Sequence, residues 1–431
     1  MPISKKPYKG CRDLFPEQKR TQDYLFDIMK QTASSFGYEP YDGPMLEEVE
    51  LYRAKSGQEL INDQIYSFTD RGKREVAIRP EMTPTVARMV AQIHREVPKP
   101  IRWYSIPNLM RYERPQRGRL REHWQFNVDL FGPSSIYSEL EILSLVRQLF
   151  SNFGANEKHF EILINNRKFI DFFFQETLGL TSEKSLELYK LVDRVKKLKP
   201  EAFEEQLNNI GLNQDQVILF NDYLSLQSFD DFKTFTEKVN FPVELWDVNK
   251  FFTALSSLNL LPYVKYDASI VRGLDYYTGI VFEVFDKHPD NRRALCGGGA
   301  YEGLMSIFGE EQLPGVGFGL GDVTLTDFLI SHELLPDLSK NQIEYLVATE
   351  EENLEGKVLE ISEHIRSLSK GCISQPEKLK FKKINQLISN SNPEFLVQVY
   401  TENDELKLKV KKLADKTQEV SSFENYKEII K

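Results

Sequence analysis

In EQKRTQDYLFDIMKQTASSF, residues 17–36, the positions Leu25, Ile28, Met29, Thr32 and Phe36 recur at helical intervals. That spacing predicts a helix with one face turned to a core, and Gly37 supplies its C-terminal stop. A short extended run, YEPYDGPML, follows. Further on, IRWYSIPNLMRYERPQ reads as a strand entering a turn, RGRLRE as a loop and WQFNVDLFG as the returning strand. In the returning strand Trp124, Phe126, Val128 and Leu130 point one way, and Gln125, Asn127 and Asp129 the other. On pattern alone such a polar face is a solvated one. Its place directly after an arginine-dense loop turns the reading towards a site.

From about 180 to 250 the chain becomes helical and charged, in SEKSLELYKLVDRVKKLKPEAFEEQLNNI and QVILFNDYLSL. This stretch interrupts two strand-rich regions and reads as an inserted helical module. Strands resume at IVFEVFD, followed by CGGGAYEGLMSIFG, the glycine-rich GVGFGLGD and a helix in VTLTDFLISHEL. LPDLSKNQ, 335–342, reads as a linker. Beyond it strand-like IEYLVAT and EFLVQVY alternate with helical NLEGKVLEISEHIRSLSK and FKKINQLISN, the pattern of a small α/β domain. The expected organisation is a first domain over 1–330 with the insertion at about 180–250, a linker over 331–342, and a second domain over 343–431.

A chain of 431 residues is long enough for two or three cores. No apolar run approaches the ~18–20 residues that span a bilayer, and MPISKKPYKGCRDLFPEQ lacks the apolar core of a secretory signal. The three cysteines, Cys11, Cys296 and Cys372, are far apart and odd in number, which disfavours a disulfide framework or a cysteine–histidine metal cluster. The expected location is therefore the cytoplasm. A net charge of −10 argues against simple coating of nucleic acid. It leaves room for a local basic groove, because charge near phosphate matters within about 8–10 Å.

The candidate chemistry lies in short clusters. Glu81 and Thr83 precede a helix expected near Pro84; they suit either a helix cap or an ammonium group. Arg111, Arg114, Arg117, Arg119 and Arg121 flank one hairpin loop, where mutual repulsion calls for an anion such as a nucleotide or an RNA end. Asp129 and the tyrosines of VRGLDYYTGIVFEVFD, Tyr276 and Tyr277, suit a ring with two nitrogens, though strand-end tyrosines are also ordinary core residues. Gly297, Gly298 and Gly299 allow a ligand close to backbone or a tight turn. GVGFGLGD matches neither GxGxxG after a first strand nor GxxxxGK, so Rossmann and P-loop readings fail.

Together these pieces resemble the histidyl-tRNA synthetase family, of class II, over essentially the whole chain. RGLDYYTGIVFE is similar to the histidine-specific signature and CGGGAYEGL to the second signature. RYERPQRGRLREHWQFNVDLFG resembles motif 2, the helix ending at Gly37 with the strand reaching Pro44 resembles motif 1, and GVGFGLGDVTL resembles motif 3. The resemblance implies an α/β (α+β) fold: an antiparallel sheet flanked by helices, the helical insertion, and a C-terminal anticodon-binding domain. It implies activation of histidine by ATP with magnesium, transfer to the 3′ end of the histidine tRNA, and a homodimer formed through motif 1. Carried over, Glu81, Thr83 and Gln125 hold the amino acid's ammonium and carboxylate end. Asp129 and Tyr277 grip the imidazole, and Tyr276 and Tyr301 wall the pocket. Arg111 and Arg272 face the α-phosphate from two sides, Arg119 and Arg121 assist with the nucleotide or tRNA end, and Gln116 is a candidate contact for the acceptor end.

Three positions differ from the family pattern. Thr324 stands where motif 3 usually carries an arginine, which bears on the clamp at the adenine side. GGAY, with Ala300, replaces the usual GGRY, and Asp129 replaces a common glutamate. The rival readings are a non-catalytic regulatory subunit of ATP phosphoribosyltransferase, which shares the fold, and a tRNA-sensing module.

Overall fold

The glycine-rich stretch GVGFGLG is a central strand. In the computed structural model, which describes residues 3–54, 60–195, 198–271, 276–338 and 343–430, it occupies Gly315–Gly321. The strands that share its sheet are, along the chain, β1 (Glu39–Pro40), β2 (Ile101–Ser105), β3 (Glu122–Phe131), β4 (Phe160–Asn166), β5 (Val264–Tyr266), β6 (Tyr277–Asp286), β7 (Ala294–Tyr301) and β8 (Gly315–Gly321). Their spatial order is β1-β2-β3-β8-β7-β6-β4-β5, with Asn108–Met110 paired to β3 off this path. Only the outer pairs β1–β2 and β4–β5 run parallel; the pairs between them are antiparallel.

The register explains the glycines. Gly315, Gly317, Gly319 and Gly321 stand opposite Phe131, Asp129, Asn127 and Gln125 of β3. On the other side Gly315, Gly317 and Gly319 stand opposite Tyr301, Gly299 and Gly297 of β7. Side chains alternate across a strand, so these glycines share one face with the polar residues of β3. Val316, Phe318 and Leu320 point to the opposite face and are buried.

That opposite face is closed by helices: α1 (Pro16–Ser35), α3 (Ile136–Asn152) and α4 (Asp322–Ser331), where α2 (Thr83–Ile93) intervenes in sequence. α1 buries Leu25, Met29, Thr32 and Ala33, the face expected from its periodicity, and Gly37 follows it with φ +78°. α3 is capped by Ser135, whose side chain accepts from the Ser138 amide, and it buries Leu143, Val146 and Phe150 in the same core. The expected inserted module is present as helices Ser182–Val192, Pro200–Ile210, Gln214–Leu224, Phe229–Lys238 and Val248–Ser257. Its phenylalanines, Phe220, Phe232 and Phe235 among them, join that core.

The chain divides into two compact units, Met1–Leu14 with Gln22–Leu335, and Phe15–Thr21 with Pro336–Lys431. The second unit carries β9 (Tyr345–Thr349), β10 (Cys372–Gln375), β11 (Phe395–Glu402), β12 (Glu405–Lys412) and β13 (Gln418–Ser422) in the order β10-β9-β11-β12-β13. Val347, Ile361, Val397 and Leu408 fill one side of this sheet, and Leu346, Ile384 and Leu396 the other. β12 and β13 go beyond the elements expected from the sequence: the lysine-rich ELKLKVKK is a strand whose Leu408 and Val410 face inward between lysines. Among the described residues no helix is long and apolar enough to cross a membrane.

Candidate active site

The polar face of β3 is not solvated. From Phe126 to Phe131 every residue of the strand is buried, because a second layer covers this side as well. The glycines of β7 and β8 leave space there, and the space is a cavity of about 340 Å³. Its lining includes Glu81, Thr83, Arg111, Gln125, Asp129, Tyr276, Tyr277 and Tyr301. The residues singled out for the amino acid and Arg111 are thus brought to one hollow from separate stretches of sequence.

Each is held by specific contacts. Arg79 donates Nε to the Asn108 carbonyl at 3.0 Å and Nη1 to Asp42 at 2.8 Å. These bonds fix the segment that presents the buried Glu81. Thr83 is the first residue of α2; the N-cap is Met82 and no side chain caps this helix, so Thr83 lines the cavity without capping. Asp129 accepts a 2.6 Å hydrogen bond at Oδ1 from the Tyr301 hydroxyl. Burial pushes the Asp129 carboxyl up to about 7, against the opposing effect of the Tyr301 bond. Burial also raises Tyr301, so it remains a neutral donor. Tyr276 and Tyr277 pack at 4.7 Å between ring centroids, with Tyr276 edge-on to Tyr301 at 6.0 Å. Arg272, with the rest of 272–275, lies outside the described residues.

A second cavity of about 250 Å³ adjoins the first and shares Arg111, Gln125, Glu283, Gly297 and Gly319 with it. Arg111 therefore stands at the junction, its Nε donating to the Pro80 carbonyl at 2.8 Å. Arg119, His123, Leu295 and Thr324 line the second cavity. His123 is pushed down to about 3 by burial and by Arg111, Arg12 and Arg119, so its imidazole is neutral.

The five-arginine loop is corrected in one respect: the chain supplies anions of its own. Arg119 pairs with Glu113 at 2.6 Å, and the Arg117 guanidinium stands near the Asp327 carboxylate. Arg121 reaches neither cavity. It is buried, donates to the Glu113 carbonyl at 3.1 Å and the Tyr8 hydroxyl at 3.0 Å, and lies 3.9 Å from the Tyr112 ring centroid. It braces the loop. Gln116 is exposed at the loop tip, in a turn closed by mutual backbone bonds with Arg119.

The family model described as histidyl-tRNA synthetase matches residues 10–323 of this chain. This chain belongs to the histidyl-tRNA synthetase family. A histidine–tRNA ligase of Leptospira biflexa is 45% identical over 337 residues, which cover 78% of this chain and 76% of that protein. One of Picrophilus torridus is 34% identical over 406 residues, 90% of each chain. The crystal structure of histidyl-tRNA synthetase from Nostoc has the same fold, with a TM-score of 0.82 at 23% identity over 99% of both chains.

Within the histidyl-tRNA synthetase frame, several lining residues escaped sequence reasoning. Glu283 lies on β6 on the same face as Val281, a two-residue step that alternation could have exposed. Asn127 shares its face with Asp129, yet the sequence gives it no role. Asp193 reaches the first cavity from the helical insertion, and nothing local in its sequence marks it. Of the differing positions, Thr324 donates to the Leu295 carbonyl or the Gly321 carbonyl, each at 3.1 Å. Asp322, just before it, accepts from Arg12 at 2.6 Å and from the Trp124 amide at 3.0 Å, tying the start of α4 to β3.

Proposed function

We infer that this chain is a histidine–tRNA ligase, joining histidine to ATP as histidyl-adenylate and passing the histidyl group to the 3′ end of its tRNA. The observation that carries the reading is the pair of adjoining cavities with Arg111 at their junction. One is walled by carboxylate and phenol groups suited to histidine; the other is open for a nucleotide.

Asp129 offers Oδ2 to an imidazole N–H while Tyr301 occupies Oδ1. Tyr277 donates to the second ring nitrogen, and Tyr276 and Tyr301 wall the ring. Glu81 and Thr83 take the ammonium group, and Gln125 orients the carboxylate. That carboxylate attacks the α-phosphorus, the P–O bond to the β-phosphate breaks, and pyrophosphate leaves. Arg111 and Arg272 neutralise the charge that develops on the phosphoryl oxygens. No protein nucleophile is required: catalysis is positioning and electrostatics. In the second step the terminal tRNA hydroxyl attacks the activated carbonyl, with Gln116 near the acceptor end. Arg119, held by Glu113, serves the nucleotide; Arg121 is left out of the site.

Magnesium supplies charge neutralisation of the ATP phosphates. No cluster of three or more metal-ligating side chains occurs among the described residues. The ion would be held mainly by phosphates and water, and Glu283 is the carboxylate that lines both cavities. We further assign a homodimer through the α1–β1 region, to be read by sedimentation, and a cytoplasmic location.

The test is ATP–pyrophosphate exchange. Exchange should depend on histidine and on no other amino acid. A purified protein that binds tRNA yet shows no exchange would instead be a binding module. Arg272→Ala should slow exchange greatly with little loss of histidine affinity.

A further inference from the structure

Thr324 occupies the motif 3 position where the arginine pattern breaks, and its single hydroxyl proton is committed to backbone carbonyls. It has no cation to offer a nucleotide. Much of the lining of the second cavity is uncharged: Leu120, Leu295 and Val323, the backbone of Gly321, and the neutral ring of His123; of its charged members, Arg119 and Glu113 pair with each other. Such a surface fits a purine better than a triphosphate, whose charge belongs near Arg111.

A cation stands beside this end, on a different element. A neighbouring cavity of about 150 Å³ shares Gly118, Leu295 and Thr324 with the nucleotide cavity and adds Arg293. A Cβ placed on Gly118 would lie 3.3 Å from Thr324 Cγ2 and 3.4 Å from Arg293 Cδ. The loop tip therefore passes over both residues, and the missing side chain at 118, where φ is +70°, keeps the passage open. Among the described residues Arg293 makes no ion pair. Burial and the facing Arg119 both disfavour its charge, with Glu113 partly opposing them. The turn that carries it is anchored: Asn291 donates to Asp286 Oδ2 at 2.6 Å and to Ser331 at 3.1 Å, and His332 bonds Asp286 Oδ1 at 2.7 Å.

We propose that Arg293, from the turn between β6 and β7, covers the purine of ATP at the place Thr324 leaves without a cation. A guanidinium is planar and stacks on aromatic rings. It would reach the base from the neighbouring cavity, while His123 lines the nucleotide cavity itself. The proposal rests on the ATP reading above and moves the support of the base from the start of α4 to the β6–β7 turn.

The test is calorimetric titration of the whole protein with ATP, AMP, inorganic pyrophosphate and histidine, for wild type and Arg293→Ala. ATP and AMP should both weaken by about 3- to 30-fold. Pyrophosphate and histidine should bind as in wild type, the latter also reporting an intact fold. Weakened ATP with unchanged AMP would place the contact on the phosphates and overturn the proposal; so would unchanged affinity for both. Should the alanine variant fail to fold, Arg293→Gln is read by the same criteria. Wild type lacking histidine-dependent exchange would sink the enzyme reading alone, since the AMP comparison still decides the purine contact.

Discussion

Replacing Asp129 by asparagine should make the empty protein more stable and a poorer histidine binder at once. The carboxyl is 5% exposed and its pKa is raised from 3.8 to about 7, chiefly by burial. Displacing a pKa by one pH unit costs about 1.4 kcal/mol, so ionised Asp129 costs the fold up to ~4 kcal/mol. In the unfolded chain the group ionises near 3.9. Below about pH 4 it is protonated in both states and the cost vanishes. The cost grows between about pH 4 and 7 and is complete above that. Asparagine retains an oxygen that can accept from Tyr301, now at 2.6 Å, and carries no charge. The buried Glu139, also raised to about 7, titrates in both proteins and cancels from the difference. Thermal melts without histidine should therefore show Asp129→Asn several degrees above wild type at pH 8, with the gap closing towards pH 4.5. At about 2.1 cal/mol/K per residue, a domain of this size shifts by roughly 1–2 °C per kcal/mol. A variant less stable than wild type at pH 8, or a gap independent of pH, would refute the reasoning. Histidine affinity should fall in the same variant, because a carboxylate acceptor is lost.

Removing the Tyr301 hydroxyl with Tyr301→Phe takes away the one bond that favours the Asp129 carboxylate. Histidine affinity, measured by titration from pH 6 to 9, should then rise at a higher pH than in wild type. Arg111→Ala should slow histidine-dependent exchange by about 100- to 1,000-fold, with histidine affinity changed little. Gly317→Ala would drive a methyl group into the Asp129 carboxylate and to 2.5 Å from the Val128 carbonyl oxygen. It should abolish histidine binding and lower the melting temperature. Exchange of Arg121 for methionine should lower stability by loosening the motif 2 loop, and the ATP affinity of the folded protein should change far less than in Arg111→Ala.

What could be read in advance followed the strength of local signals. The α1 stripe, the inserted helices and the alternation of β3 are periodic, and periodicity survives folding. The glycine stretch matches a motif, but its physical role needed the register: only pairing with β3 and β7 shows which glycines floor the cavity. The hairpin arginines illustrate a different limit. Charge counting could not foresee that Glu113 and Asp327 meet them in space, nor that Arg121 turns under Tyr112. Arg293 and Asp193 reach the cavities from a turn and an insertion, and long-range placement of that kind leaves no trace in spacing. Lysine-rich β12 went unread because its charges masked a strand's inward leucine and valine.

The alternating glycines also restrict how this pocket can change. Its base is made of peptide groups, and those dipoles stay the same whatever substitution occurs elsewhere. Any side chain added there can only take volume away; none can offer a new contact without displacing the occupant. On the proposed reading of this pocket, a shift in amino-acid preference would therefore be written in the surrounding walls, at Asp129, Tyr277 and Tyr301, while the two strands beneath stay mute.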